Sequence, residues 1–181
     1  HSFKDLPTGR PLGLAIGAVP ARADPRDALV ARDGLTLHDL PQEASVGTGS
    51  PRRAAQLLAV RPDLTIVDIR GNVDTRLGRV KGLGRYAKNG GKEDLDAVVL
   101  AASGLARLGH SGAVTEFLDP SVVLPAPAQG ALAVECRTAD SRHGKLAKAL
   151  ARIDDLRTRL AATAERAVLS HLEAGCAAPI G

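Results

Sequence analysis

The stretch SVGTGSPRRAAQLLAVRPDLTIVDIRG (45–71) decides the fold. It opens as a short strand that runs into a glycine turn at SVGTGS (45–50). It continues as a helix over 50–64 and closes as a β-branched strand, LTIVDIRG (64–71), that ends at Arg70-Gly71. Ser50 can cap the helix, Pro51 suits its first position, and Ala54, Leu57 and Leu58 share one face. Strand, helix and strand in that order predict an α/β fold.

The flanking sequence extends the pattern. PLGLAIGAVP (11–20) reads as a buried strand, and DPRDALVARDG (24–34) as a turn followed by a short apolar run. NVDTRLGRVK (72–81) opens a short helix, with Asn72 as cap and Asp74 in its first turn. GRYAKNGGKED (84–94) is a polar, glycine-rich loop. LDAVVLAASG (95–104) is a buried strand, and LARLG (105–109) a helical turn. VVLPAPAQGALAVECR (122–137) is a proline-rich crossing followed by a strand. Helices are predicted over 141–151 and 155–174. In the second, Leu156, Leu160, Ala164, Ala167 and Leu172 form an apolar stripe, and Gly175 stands where a C-cap glycine belongs. Alternation of strands and helices predicts a largely parallel sheet. No internal repeat is present.

The chain has 181 residues, enough for one domain or two small ones. Hydrophobic residues at 44% and charged residues at 24% fit a folded globular protein. No apolar run reaches the length of a membrane span, and no basic-then-apolar leader opens the chain. Cys136 and Cys176 do not make a disulfide framework, so a reducing cytoplasm is the simpler setting. The chain opens HSFKDLPTGR and holds no Met, so it reads as a piece of a longer protein. The net charge of +4 suggests an anionic partner. Phe3, Tyr86 and Phe117 are too few to stack nucleic-acid bases; a small polyanion fits at least as well.

Arg52 and Arg53 give the strongest chemical signal. With Pro51 starting the helix, both fall in its first turn, where cations oppose the helix dipole. A bound anion would make them favourable; two solvated arginines that bend away would also explain them. Arg70 follows a strand at the carboxyl edge, where open α/β sheets take ligands. Arg76 lies about one turn into the next helix, and Arg107 follows the next strand. Guanidinium forks match carboxylates, so several at one sheet edge suggest a ligand rich in carboxylates or phosphates. Each alone is compatible with a surface arginine, Arg107 most of all. Lys4 and Asp5, beside the Pro7 turn, supply a carboxylate that could hold N–H donors or a developing cation, or one that shapes the turn. The five histidines have no metal spacing, so no metal is expected. Cys176 follows a helix C-terminus, which disfavours thiolate. By composition it is a small buried residue, and Cys136 is a core position.

HSFKDLPT, DPRDALV, VGTGSPRRAAQL, IRGNVDTRL, LDAVVLAASGLARLG, PAQGALAVECR and AERAVLSHLEAGCAAPIG share an order and near spacing with the porphobilinogen deaminase (hydroxymethylbilane synthase) family, which the chain resembles along its whole length. The resemblance implies three α/β domains. The first would be formed by 1–22 and 124–140, its N-terminal part missing, and the second by 26–122. The third would begin at 141–181 with the cofactor-attachment loop. The first two would resemble type II periplasmic binding proteins, with the site in the cleft between them.

The resemblance also implies the chemistry. Four porphobilinogen units would be joined, with release of ammonia, into linear hydroxymethylbilane in tetrapyrrole biosynthesis. A covalent dipyrromethane primer would be held through a thioether to Cys176. Ser50, Arg52, Arg53, Arg70 and Lys4 match cofactor-binding positions, Arg76 and Arg107 substrate-binding ones, and Asp5 the catalytic aspartate. A cytoplasmic monomer without nucleic-acid or membrane partners is implied. GTGSPRR stands for the commoner GTSSLRR, AGC for GGC, and PAPAQGA for PAVGQGA. Ala128 replaces a glycine, so its backbone must avoid positive φ or be strained. The rival is a non-catalytic small-anion-binding module of the periplasmic type; a nucleic-acid-binding module is third.

Overall fold

A computed structural model describes residues 1–9, 11–172 and 179–181. Cys176 and Gly175 lie outside the described residues. In chain order the elements are β1 (Leu14–Ala18), β2 (Asp27–Ala31), β3 (Ser45–Gly47), α1 (Pro51–Val60), β4 (Thr65–Val67), α2 (Val73–Leu77), β5 (Ala97–Ala101), α3 (Ala102–Arg107), β6 (Glu116–Phe117), β7 (Val134–Arg137), α4 (Gly144–Ile153) and α5 (Leu156–His171). They form two compact units. One comprises His1–Pro25 with Ala126–Ile180, the other Arg26–Pro125 with Gly181.

The second unit holds a five-stranded sheet in the order β4-β3-β5-β2-β6. β4, β3 and β5 are parallel, whereas β2 runs antiparallel to both β5 and β6. The sheet is therefore mixed rather than largely parallel. The 32–44 connection explains this: it carries only a 3-10 turn at Arg32–Gly34 and no crossover helix of the kind parallel neighbours use. β2 and β5 are buried on both faces, so they read as unbroken apolar runs. Alternate residues nevertheless divide. Leu29, Ala31, Ala97 and Val99 pack with Leu57 of α1. Ala28, Val30, Val98 and Leu100 pack with Leu77 of α2 and Leu105 of α3.

The predicted cap is present: the Ser50 side chain accepts from the Arg53 amide, and Pro51 holds the first helical position. The buried residues of α1 are Arg52, Arg53 and Leu57. Leu58 is exposed, contrary to the predicted apolar face. β4 is shorter than 64–71, so Asp68–Gly71 leads out of the sheet. α3 starts directly after β5, ahead of 105.

In the first unit β1 and β7 pair antiparallel. Phe3, Val19, Ala128, Ala131, Ala133 and Ala162 form the core. The predicted stripe of α5 is in the wrong phase: Leu156, Leu160, Ala164, Ala167 and Leu172 are exposed. Thr158, Ala162 and Leu169 are buried instead. Thr158 accepts from the Arg22 amide, Glu165 pairs with the Arg22 guanidinium, and Arg166 donates to the carbonyls of Phe3, Leu6 and Pro7. These residues share one helical face with Ala162 and Leu169, and hydrogen-bonded side chains supply much of its docking. Cys136 of β7 is half-buried, less enclosed than a core position. Among the described residues no helix is long and apolar enough to cross a membrane.

Candidate functional site

The β3–α1 turn is packed tightly against the segment that leads out of β4. A Cβ on Gly49 would sit 2.6 Å from the Ile69 carbonyl oxygen. No side chain fits there, and the approach sets Ser50 and the start of α1 beside the segment carrying Arg70. Thr48 is buried, and its hydroxyl accepts from the Ser50 amide at 3.2 Å.

Arg52 and Arg53 are neither solvated nor bent away. Their side chains are 5% and 7% exposed, and both reach Asp27, which is fully buried. Arg52 Nη2 donates to one carboxylate oxygen at 2.8 Å, and Arg53 Nη2 to the other at 2.7 Å. Their Nη1 atoms donate to the main-chain carbonyls of Leu124 and Val99 respectively. Arg53 Nε is buried with no hydrogen-bond partner. Burial alone would push the Asp27 carboxyl up, but the charges and hydrogen bonds of Arg53 and Arg52 outweigh it and hold Asp27 below the ordinary value. Arg52 is pushed down, first by burial and further by the Arg53 charge, against the pull of Asp27. One carboxylate serves two guanidiniums, and positive charge is left in excess.

Arg76 adds to that excess. Burial lowers its pKa, the charges of Arg53 and Arg70 lower it further, and Asp68 opposes them. Its Nε donates to the Gly71 carbonyl at 2.8 Å. The predicted Asn72 cap accepts from the Thr75 amide at 2.8 Å, and Asp74 Oδ1 meets His110 Nε2 at 2.6 Å. Arg70 is 79% exposed and pairs with Asp68 only at 3.3 Å, a surface contact of little energetic weight. Arg107 is exposed at the end of α3.

Lys4 and Asp5 belong to the first unit, in the 3-10 turn Phe3–Asp5. The Phe3 amide donates to the Ala131 carbonyl at 3.0 Å. Arg166 stacks on the Phe3 ring at 4.8 Å while bonding the turn's carbonyls. Lys4 Nζ donates to Gln129 Oε1 at 3.1 Å. Asp5 is exposed. Among the described residues no group of His, Cys, Asp or Glu is placed to hold a metal.

Sequence reasoning found the arginines and missed Asp27. DPRDALV read as a turn leading into an apolar run. The available signal was a carboxylate opening a strand otherwise made of Ala, Leu and Val, since buried Asp is almost always paired.

The arrangement is that of an α/β protein in which the start of α1 and the segments after β4 gather arginines in excess over carboxylates. The family model described as "Porphobilinogen deaminase, dipyromethane cofactor binding domain" matches residues 1–145, and the chain belongs to that family. It is 99% identical over its full length to a porphobilinogen deaminase of Cutibacterium acnes, covering 54% of that protein. It is 57% identical to one from Micrococcus luteus, again over the whole chain and 53% of the relative. The chain thus spans about half the length of the curated relatives it matches. A solved lipoprotein of the YaeC family from Enterococcus faecalis has a TM-score of 0.44 at 15% identity, covering 81% of this chain and 64% of its own.

Proposed function

We propose that this chain is part of an enzyme that joins four porphobilinogen units, with loss of ammonia, into hydroxymethylbilane for tetrapyrrole biosynthesis. The family membership supports the reaction class. The observation that carries the site is the buried Arg52–Arg53 pair, sharing one carboxylate and retaining an unpartnered donor.

A dipyrromethane bears several carboxylates, and a cluster short of negative charge suits it. Ser50, Arg52, Arg53, Arg70 and Lys4 would hold it, and Cys176 would attach it as a thioether. When bound, it supplies the pyrrole carbon to which units are added. Arg76 and Arg107 would orient the carboxylates of incoming porphobilinogen. Asp5 would accept hydrogen bonds from pyrrole N–H groups and stabilise the cation that develops as ammonia leaves. On this reading 141–181 begins a third domain, and the protein works as a cytoplasmic monomer without nucleic-acid or membrane partners.

The test is the intact mass of the full-length protein, expected to exceed its sequence by one dipyrromethane carried on the Cys176 peptide. Cys176→Ser should lose the adduct and most turnover, and Cys136→Ser should keep both. A fully active protein with no adduct would sink the covalent reading. A protein that binds porphobilinogen but neither carries the adduct nor turns over would favour the rival binding module.

A further inference from the structure

Asp27 stands at the first position of β2 with no exposed surface, and it is the point at which Arg52 and Arg53 meet. Each guanidinium is fixed at two places, the carboxylate and a main-chain carbonyl, which sets its plane as well as its position. Two neighbouring cations in the first turn of a helix repel each other and the helix dipole. Without a shared counter-charge, bending outward into water is the lower-energy course. The structure shows them buried, so something must offset that cost, and Asp27 is the buried carboxylate in contact with both.

We propose that Asp27 is a positioning residue for ligand binding, a fixed internal counter-charge that aligns Arg52 and Arg53 before the anionic group arrives. This rests on the reading that the arginine pair binds carboxylates of the dipyrromethane. Asp27 acts through the arginines and touches no reacting atom. By neutralising one of the two positive charges it lets both be buried, yet it leaves the pair cationic. By occupying Nη2 of each arginine it directs a ligand towards the remaining donors, among them the unpartnered Nε of Arg53.

The experiment uses the full-length protein expressed without the adduct and reconstituted with porphobilinogen, following covalent mass gain. The quantity read is the porphobilinogen concentration giving half-maximal loading, with folding checked by circular dichroism and urea midpoint. Folded Asp27→Asn should need at least about tenfold more porphobilinogen, since small misplacements of positioning groups cost up to about 100-fold. Asp27→Glu, which keeps the charge but moves it by a methylene, should be impaired less. In an Arg53→Gln background, where only Arg52 remains to be positioned, the further change Asp27→Asn should cost clearly less than it does in the wild-type protein, as residues acting through one contact are non-additive. A folded Asp27→Asn within about twofold of wild type, or an equal penalty with and without Arg53, overturns the proposal. Should Asp27→Asn fail to fold alone, Asp27→Glu carries the first comparison. An Asp27→Glu protein that loads like wild type then overturns the proposal. If Arg52→Gln and Arg53→Gln both load as wild type does, the ligand reading itself has failed and this inference falls with it.

Discussion

Asp96 Oδ2 accepts from both the amide and the hydroxyl of Ser45, at 2.9 and 2.8 Å. Its other oxygen accepts from Arg32 Nε at 2.9 Å and Lys81 Nζ at 2.8 Å. One carboxylate thus ties the entry of β5 to β3, to the turn after β2 and to the segment after α2. Burial opposes ionisation here, but the donors from Lys81, Ser45 and Arg32 outweigh it and hold the carboxyl well below the usual carboxylate range. The folded pKa is depressed, so the stabilisation is fully present above the ordinary value of 3.8 and is lost as pH falls from there towards the folded pKa. Asp96→Asn should cost about 2 kcal/mol or more near neutral pH, the scale of hydrogen bonds to a charged group. It should also flatten the fall in stability below about pH 4. Urea unfolding at a series of acid pH values checks both, and an unchanged slope contradicts the assignment.

The arginines of the cluster should separate into two behaviours. Arg52 is buried against Asp27, so Arg52→Leu removes one of the two guanidiniums that share this carboxylate, leaving Arg53 on it, and should lose about 1.5–3 kcal/mol of stability, the scale of a hydrogen bond to a charged group, together with dipyrromethane loading. Arg70 is largely exposed, so Arg70→Leu should move the unfolding midpoint by no more than about 0.5 kcal/mol yet still reduce loading. Lys at position 52 should recover only part of the loss, because a point charge cannot reproduce the fork. Paired urea melts and intact-mass measurements decide the matter. Equal stability losses at both positions would contradict the burial difference.

Local signals in the sequence were legible. Ser50 and Asn72 cap the helices they were expected to cap, because a cap depends on atoms a few residues away. The arginine pair was visible as an anomaly in the first turn of a helix. Its partner was not, since Asp27 lies 25 residues upstream of Arg52 and is brought there by sheet order. Sheet order itself was hidden, because β2 and β5 are buried on both faces and carry no alternation to betray direction. β6 has two residues, too short for any pattern. The phase of α5 was misread because much of its docking is supplied by Thr158, Glu165 and Arg166, whose bonds to Arg22 and to the Phe3–Pro7 carbonyls have no hydropathy signature.

Ala128 adopts φ 63 with no exposed surface, the strained outcome expected of a non-glycine residue there. Its amide donates to Glu165 Oε2 at 2.7 Å, which helps hold the conformation. Glycine would relieve about 1–2 kcal/mol of left-handed strain. It would lose about 0.8 kcal/mol of buried methyl and add chain entropy worth about 0.5–1 kcal/mol. The terms nearly cancel, so Ala128→Gly should stay within about 1 kcal/mol of wild type. Ala128→Val should lose at least about 2 kcal/mol, from β-branched strain and overpacking together. Urea midpoints test both, and a tolerated valine would show that the position is not strained.

The proposed role of Asp5 can be tested at that one residue, because it predicts a loss of catalysis rather than of binding. Its turn is held from behind, by the Phe3 amide bond to Ala131 and by Arg166 across the carbonyls of Phe3, Leu6 and Pro7. The Asp5 amide donates to the Ser2 carbonyl at 3.1 Å, and the side chain is exposed. None of these supports uses the carboxylate, so Asp5→Asn should fold with its turn intact. If the carboxylate stabilises charge that develops only as ammonia leaves, its loss acts on the transition state more than on binding. Removing preorganised stabilisation of this kind costs about 10²–10³ in kcat. Asp5→Asn in the full-length protein should therefore lose at least about 100-fold in turnover, with partly elongated intermediates retained. Asp5→Glu keeps the charge in a displaced position and should lose less. Single-turnover kinetics with porphobilinogen on purified, folded variants give the answer. Turnover of Asp5→Asn within about threefold of wild type, far inside the range expected for lost charge stabilisation, would leave Asp5 as a turn residue and nothing more.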